Sequence, residues 1–250
     1  MYLVFIDYEK AFDSIHRETL WKIMRHYGIP EKYIRLVKMF YSNSKCSVVT
    51  EAGNGTWFEV KSGVKQGCVM SGFLFILVID CWIMRQTTSQ QRTGIQWTLT
   101  EQLEDLDYAD DIATTSSSWK HAQEKLTRLS ENGKRTGLTI NKESTTCIRI
   151  NPYRADPVTL DGEAVEDVDT FKYLGAHVNK SGGADYDIRC RIGLASAAFR
   201  KFVKVWNSSS YWRRTKVMVV ELQCSISFVV RMRNLEDEQG GGEETGCVSA

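Results

Sequence analysis

No two cysteines of this sequence stand at C-x-x-C spacing. The seven present, Cys46, Cys68, Cys81, Cys147, Cys190, Cys224 and Cys247, are scattered over 250 residues. That spread argues against a zinc site and favours a reducing compartment. No secretory leader is read at the start either, so the expected setting is intracellular, nucleus or cytoplasm. Long hydrophobic runs are also missing. The longest, "FLFILVI" at 73–79, stops at Asp80. It falls well short of the roughly 20 apolar residues that a bilayer-spanning helix needs, and it reads as a buried helix. No membrane partner is expected. There is no internal repeat, which excludes a stacked-repeat architecture. What is present is an apolar fraction of 42%, sufficient for a real core. The length suits one large domain or two small ones.

Net charge is nearly absent as well, at +1, but the balance hides an asymmetry. Residues 189–233 carry ten Lys or Arg and a single acid, Glu221. Residues 234–250 carry five acids and no base. A basic block this dense fits a polyanion partner. The alternative is a solvated helical face.

The opening "MYLVFID" is apolar on both faces, as a covered central strand must be, and stops at Asp7. Asp13 or Ser14 is expected to cap a helix with Leu20, Ile23, Met24 and Tyr27 on its apolar face and Gly28 as its stop. Pro30 opens a second helix with Ile34, Val37 and Phe40 inward. "CSVVT" and "WFEVK" flank Gly53, Asn54 and Gly55 and predict a hairpin. "GVKQG" reads as a turn leading into an apolar helix over about 70–85. "LEDLDYADDIATTSS" (103–117) reads as strand, turn and strand, followed by an amphipathic helix over 119–136 with Ala122, Leu126 and Leu129 inward. "LTINK", "TTCIRI" and "TFKYLGAHV" read as further strands. Residues 185–206 predict a helix with Ile188, Ile192, Phe199, Phe202 and Trp206 inward and its basic residues outward. Beyond about 220 the pattern decays into "EDEQGGGEETG", which reads as disordered.

Asp110 and Asp111 stand side by side between apolar neighbours. Burying two adjacent carboxylates without partners is costly, so the pair sits on a wet turn or awaits a cation. Asp7 ends one expected strand, and the pair lies in the turn between two others. If those strands are neighbours in one sheet, three carboxylates converge. Such a cluster suits hard cations, which take oxygen ligands. Two Mg²⁺ ions, or Mn²⁺, about 3.5–4 Å apart would clamp the attacking and leaving oxygens of a phosphoryl transfer. The bland alternative is a solvated Asp-Asp turn.

Five pieces occur in order: "FIDYEKAFDS" (5–14), "GVKQGCVMSGFLF" (63–75), "YADD" (108–111), "GLTIN" (137–141) and "FKYLG" (171–175). Each is short. Together they resemble the palm of a reverse transcriptase, specifically the RNA-directed DNA polymerase of non-LTR (LINE-type) retrotransposons. The resemblance implies an α+β fold: a palm of antiparallel sheet backed by helices, with a helical thumb and the fingers largely absent. It implies a palm over 1–180, a basic helical thumb over 181–220 and a divergent tail over 221–250. An RNA template, a DNA primer and deoxynucleoside triphosphates are the implied partners.

By the same resemblance Asp7, Asp110 and Asp111 are the catalytic acids, and the carbonyl of Tyr8 joins them around the metal. Phe12 matches the ring that crowds a ribose 2′-OH, the alternative being core packing. Gln66 and Gly67 match the loop lining the incoming nucleotide, where glycine allows close backbone approach. Val69 and Gly72 stand where the family has prolines. Tyr108 is expected near the primer terminus, or as a plain buried strand tyrosine. Ser144 stands where the family has a lysine, and Lys142 comes two residues early. Lys172 is a primer-phosphate contact, while Phe171, Tyr173 and Leu174 pack palm against thumb. Arg189, Arg191, Arg200, Lys201, Lys204, Arg213 and Arg214 are expected to follow duplex phosphates without reading sequence.

Met1 falls one strand-length before Asp7, where the family has fingers upstream. The expectation is a truncated element copy that binds template–primer and extends it weakly or not at all. The alternatives are a catalytically silent remnant that only binds nucleic acid and, ranked lower, a group II intron maturase-like protein.

Overall fold

The computed structural model describes residues 1–50, 53–88, 92–152 and 156–220. The expected tail at 221–250 lies outside them. The chain divides into two units, Met1–Leu174 and Gly175–Ala250. That boundary comes ahead of the one expected at 180.

In the first unit, β1 (Tyr2–Ile6) is buried at every position. Its neighbours come from far along the chain: β2 (Asp105–Tyr108), β3 (Asp111–Ser116), β4 (Thr146–Arg149) and β5 (Glu166–Asp167). They form one sheet in the order β5-β4-β1-β3-β2. Every pairing is antiparallel except β4 with β5. Side chains alternate along a strand. Tyr2, Val4 and Ile6 therefore share a face, and they join the main hydrophobic cluster with Ala122, Leu126 and Leu129. Phe5 points the other way and stacks on Phe171 of β6 (Thr170–Tyr173), ring centroids 4.2 Å apart. This cover on both faces is what the unbroken apolar run of β1 requires.

Helices back the sheet. α1 (Ala11–Ser14) starts directly after Lys10, whose φ of 46° turns the chain sharply. Asp13 and Ser14 thus lie inside this short helix and do not cap the next. His16 holds the N-cap position of α2 (Arg17–His26), which buries Leu20, Ile23 and Met24 and ends before Gly28. α3 (Glu31–Tyr41) buries Ile34 and Val37, but Phe40 is 65% exposed. Tyr41 takes the inward place instead, because its hydroxyl finds Ser71 at 3.0 Å. The expected hairpin forms from two short pairings, Lys45–Cys46 with Phe58–Glu59 and Val49–Thr50 with Gly53–Asn54. Gly53 and Asn54 are thus strand residues and not the turn.

α4 (Val69–Val78) continues through a π-helical turn, Ile79–Met84, into Arg85–Thr88. By length and composition this 20-residue run would suffice to cross a membrane, longer than the apolar run alone indicates. Here Leu74, Phe75, Val78, Ile79 and Ile83 are buried in the core, as a core helix's would be. α5 (Trp119–Thr136) has the predicted limits. Ser118 caps it, accepting from the His121 N–H, and Gly137 closes it at φ 92°. "LTINK" contributes only a single bridge, Tyr8 to Ile140.

"TFKYLGAHV" is not one strand. Leu174, at φ 46°, and Gly175, at φ 80°, break it. The second unit begins there with β7 (Ala176–Asn179), followed by α6 (Asp185–Lys201), α7 (Val203–Asn207) and α8 (Arg213–Val220). The helix expected over 185–206 therefore breaks at Phe202. Ile192 and Phe199, expected inward, are 47% and 45% exposed. Phe199 instead stacks on Trp206 at 4.7 Å. The buried residue of α6 is Asp187, which accepts from the His177 N–H and from Arg191 Nε, both at 2.8 Å.

Candidate active site

The register brings the predicted acids to one end of the sheet. Ile6 lies opposite Ile112 in the β1–β3 pair, and Tyr108 lies opposite Asp111 in the β2–β3 hairpin. Asp7 follows directly after Ile6 and so leaves β1 at the same end of the sheet as Asp111. Residues directly opposite on antiparallel strands share a face. Asp111, two residues from the Ala113 that faces Phe5, lies on the Phe5 face, which also carries the rings of Phe171 and Tyr173.

Asp110 sits in the two-residue turn that joins Tyr108 to Asp111, after Ala109 at φ 58°. An L-residue in that region costs roughly 1–2 kcal/mol, and such strain concentrates at functional sites. Tyr173 fixes the hairpin from the side. Its hydroxyl donates to the carbonyls of Leu106 at 2.8 Å and Asp111 at 2.9 Å. Tyr173 therefore acts as a clamp on the acid-bearing turn. Leu174, assigned by sequence to the same packing role, is 53% exposed.

The electrostatics follow the geometry. The Asp111 carboxyl is held above the usual carboxylate range, first by burial and then by the charges of Asp110 and Asp7. The Tyr173 hydroxyl is pushed up to about 12 by burial and by Asp111, Asp107 and Asp105. A second acidic group lies along β2. Burial and the neighbouring Asp107 push Asp105 up to about 6, and burial and Asp80 raise Asp107. Asp80 comes from the π-helical turn.

The carboxylate oxygens at the strand end have the hard-oxygen chemistry that Mg²⁺ prefers. Among the described residues, however, no three carboxylate, imidazole or thiol groups are gathered around one point. The expected convergence of the three acids is thus incomplete. Asp7 also lines a cleft of about 760 Å³ that carries Lys10, Asn141 and Lys142.

The other predicted residues take defined places. Phe12 is half-buried and stacks on Phe75 at 4.3 Å, nearly parallel at 10°. Gln66 donates to the Asp13 carboxylate at 3.3 Å. Gly67 has φ 79°, yet a Cβ there would meet nothing within 4 Å. Glycine at 67 accommodates this positive-φ backbone conformation. Tyr108 is 69% exposed, which overturns the buried-strand alternative. Tyr8 is buried, and its hydroxyl has no hydrogen-bond partner among the described residues. Lys172 is exposed. Lys142 lies in a turn and pairs with Glu163 at 2.7 Å.

Within the second unit, Arg189, Arg200, Lys201, Lys204, Arg213 and Arg214 are exposed. Arg191 is not presented in the same way. It pairs with the buried Asp187 and donates to the Gly175 carbonyl at 3.0 Å.

Sequence reasoning missed the loop 141–145. Ser144 Oγ donates to Asp7 Oδ2 at 2.6 Å. The Asp7 carbonyl accepts from the Asn141 N–H at 2.8 Å. The usable signal was Asn141 followed by Ser144 and Thr145, side chains that bond to nearby backbone in turns.

Residues 1–178 match the family described as reverse transcriptase (RNA-dependent DNA polymerase). The chain is 24% identical over 207 residues to the Pol polyprotein of a type-1 R2 retrotransposable element from Nasonia vitripennis, covering 78% of this chain and 19% of that protein. It is 24% identical over 192 residues to the corresponding R2 polyprotein of Popillia japonica, covering 73% of this chain and 31% of that protein. An uncharacterized protein of transposon TX1 from Xenopus laevis is 28% identical over 86 residues, covering 33% of this chain and 7% of that protein. The chain thus spans about a third or less of the curated relatives it matches. Among solved structures, Candida tropicalis telomerase in complex with a fragment of telomeric RNA has a TM-score of 0.53 at 16% identity. That likeness covers 97% of this chain and 40% of the telomerase chain. The acids at one sheet end, their order in the sequence and the family match agree: this chain belongs to the reverse transcriptases, related to the Pol proteins of non-LTR retrotransposons.

Proposed function

We propose that this chain is the catalytic portion of an RNA-directed DNA polymerase from a retrotransposon Pol protein, with 1–174 as its palm and the basic helices after Gly175 as its thumb. The observation that carries this is the β1–β3 register, which ends at Ile6 opposite Ile112 and so brings Asp7 to the same sheet end as Asp110 and Asp111, with the Asp111 carboxyl raised by burial and then by both neighbours. Asp7, Asp110 and the Tyr8 carbonyl would hold divalent cations, Mg²⁺ or Mn²⁺, with Asp111 beside them. Such ions, when bound, stabilise charge on the attacking and leaving oxygens of nucleotidyl transfer.

The chain's own groups supply the positioning. Phe12, backed by the stacked ring of Phe75, is the rigid surface that would exclude a ribose 2′-OH. Gln66, held by Asp13, and Gly67 line the nucleotide. Tyr108, exposed beside the acids, faces the primer terminus, and Lys172 contacts its phosphate. Arg189, Arg200, Lys201, Lys204, Arg213 and Arg214 neutralise phosphates of an RNA template and DNA primer. Arg191 orders α6 through Asp187.

A second reading, a chain that binds nucleic acid without extending a primer, draws on the acids not being gathered around one point. Primer extension on an RNA template separates the two. Deoxynucleotide incorporation, even at a low rate, that requires Mg²⁺ and vanishes in Asp7→Asn and Asp110→Asn is the expected result. Duplex binding with no extension by the unaltered chain would support the second reading.

A further inference from the structure

One loop holds Asp7 at its backbone and at its carboxylate. The Asp7 carbonyl accepts from the Asn141 N–H at 2.8 Å. Its N–H donates to Thr145 Oγ1 at 3.4 Å. Its Oδ2 accepts from Ser144 Oγ at 2.6 Å. The loop is itself braced. Asn141 Oδ1 accepts from the Glu143 N–H, and the Asn141 carbonyl accepts from the Thr145 N–H, each at 3.1 Å. Thr145 is fully buried and anchors the end of the loop at β4. Ser144 is therefore delivered to Asp7 by a fixed backbone, whereas a long side chain would have to be ordered to reach it.

A carboxylate offers about four lone-pair sites, and one hydroxyl occupies one of them. Asp7 Oδ1 has no hydrogen-bond partner among the described residues. A neutral hydroxyl also orients the acid without cancelling its charge, which an ammonium at the same place would do. We propose that Ser144 is a positioning residue for Asp7, holding Oδ2 through the braced 141–145 loop and leaving Oδ1 for a divalent cation. Sequence comparison alone reads Ser144 as the loss of a lysine; the geometry gives it a task. This rests on the reading of Asp7 as a cation ligand. Hydrogen-bonding partners of a ligating carboxylate govern affinity strongly, and their removal costs about 10- to 100-fold.

The test is titration of the full chain with Mn²⁺, following the free-ion electron paramagnetic resonance signal. The unaltered protein, Ser144→Ala, Ser144→Thr and Asp7→Asn are compared, with circular dichroism recorded for each. Ser144→Ala is expected to bind Mn²⁺ about tenfold or more weakly with an unchanged spectrum. Ser144→Thr keeps the hydroxyl and is expected to stay close to the unaltered protein. Unchanged affinity in Ser144→Ala, or an equal loss in Ser144→Thr, overturns the positioning role while leaving Asp7 as a ligand. Absence of Mn²⁺ binding by the unaltered chain, or no loss in Asp7→Asn, overturns the reading of Asp7 itself and this proposal with it.

Discussion

Replacing Tyr173 by phenylalanine removes one hydroxyl and keeps the ring. The structure gives that hydroxyl two acceptors, the carbonyls of Leu106 and Asp111, for a single proton. The loss is therefore that of one shared hydrogen bond, about 1 kcal/mol. The ring contact with Phe5, centroids 5.5 Å apart, survives the change. In a unit the size of 1–174, about 1 kcal/mol lowers the midpoint of thermal unfolding by roughly 2–4 °C. Tyr173→Ala also removes the ring from Phe5 and is expected to cost roughly 2–4 kcal/mol, below the range for a fully buried aromatic because Tyr173 is half-buried. Circular dichroism melts at fixed pH measure both. The pH dependence adds a signature. Burial and the nearby aspartates raise the hydroxyl from its ordinary value of 10 to about 12. The neutral phenol is thus the form the fold favours. Its contribution is fully present below pH 10 and is lost as pH rises through about 12. The gap between the unaltered protein and Tyr173→Phe is expected to close over that window. A Tyr173→Phe variant as stable as the unaltered protein at pH 7, or as damaged as Tyr173→Ala, would refute the clamp.

Asp105, raised from 3.8 to about 6, is held as an anion at pH 7 against burial and the charge of Asp107. Stability linked to it is present below pH 3.8 and lost as pH rises through about 6. Asp105→Asn is accordingly expected to stabilise by about 1 kcal/mol at pH 7.5, after allowance for solvent screening, and to be neutral near pH 4, as read by urea denaturation. Gly137→Ala would place a Cβ 2.5 Å from the Ser14 carbonyl oxygen and 2.6 Å from the His16 ring, at φ 92°. It is expected to destabilise by more than about 1 kcal/mol in the same assay. Replacing Arg200, Lys201 and Lys204 by alanine should flatten the salt dependence of duplex binding by up to about three phosphate contacts. Filter binding at several salt concentrations checks this, and equal slopes would remove these three from the phosphate contacts.

The sequence is most readable where one local signal dominates. β1 is visible because its apolar run does not alternate. α5 is visible because a 3.6-residue period is bounded by Ser118 and Gly137, each with the chemistry of its cap. The acids are visible because adjacent aspartates between apolar neighbours demand an explanation. Tertiary choices are not legible in this way. Phe40 and Tyr41 lie on adjacent faces of α3, and partners distant in sequence, Ser71 at the hydroxyl and Trp21 and Arg17 at the ring, decide which turns inward. Arg191 looks like its basic neighbours until Asp187 is found buried one turn before it. No dipeptide rule predicts alanine in the left-handed turn before Asp110. Ser144 gains its meaning from a contact with a residue 137 positions earlier.

Crystals grown with Mn²⁺ and measured for anomalous scattering locate the ions directly. The account predicts density about 2.1 Å from oxygens of Asp7 and Asp110, with Asp111 adjoining and Ser144 still on Asp7 Oδ2. Density bound instead to Asp80, Asp105 or Asp107, or none beside Asp7, would contradict it.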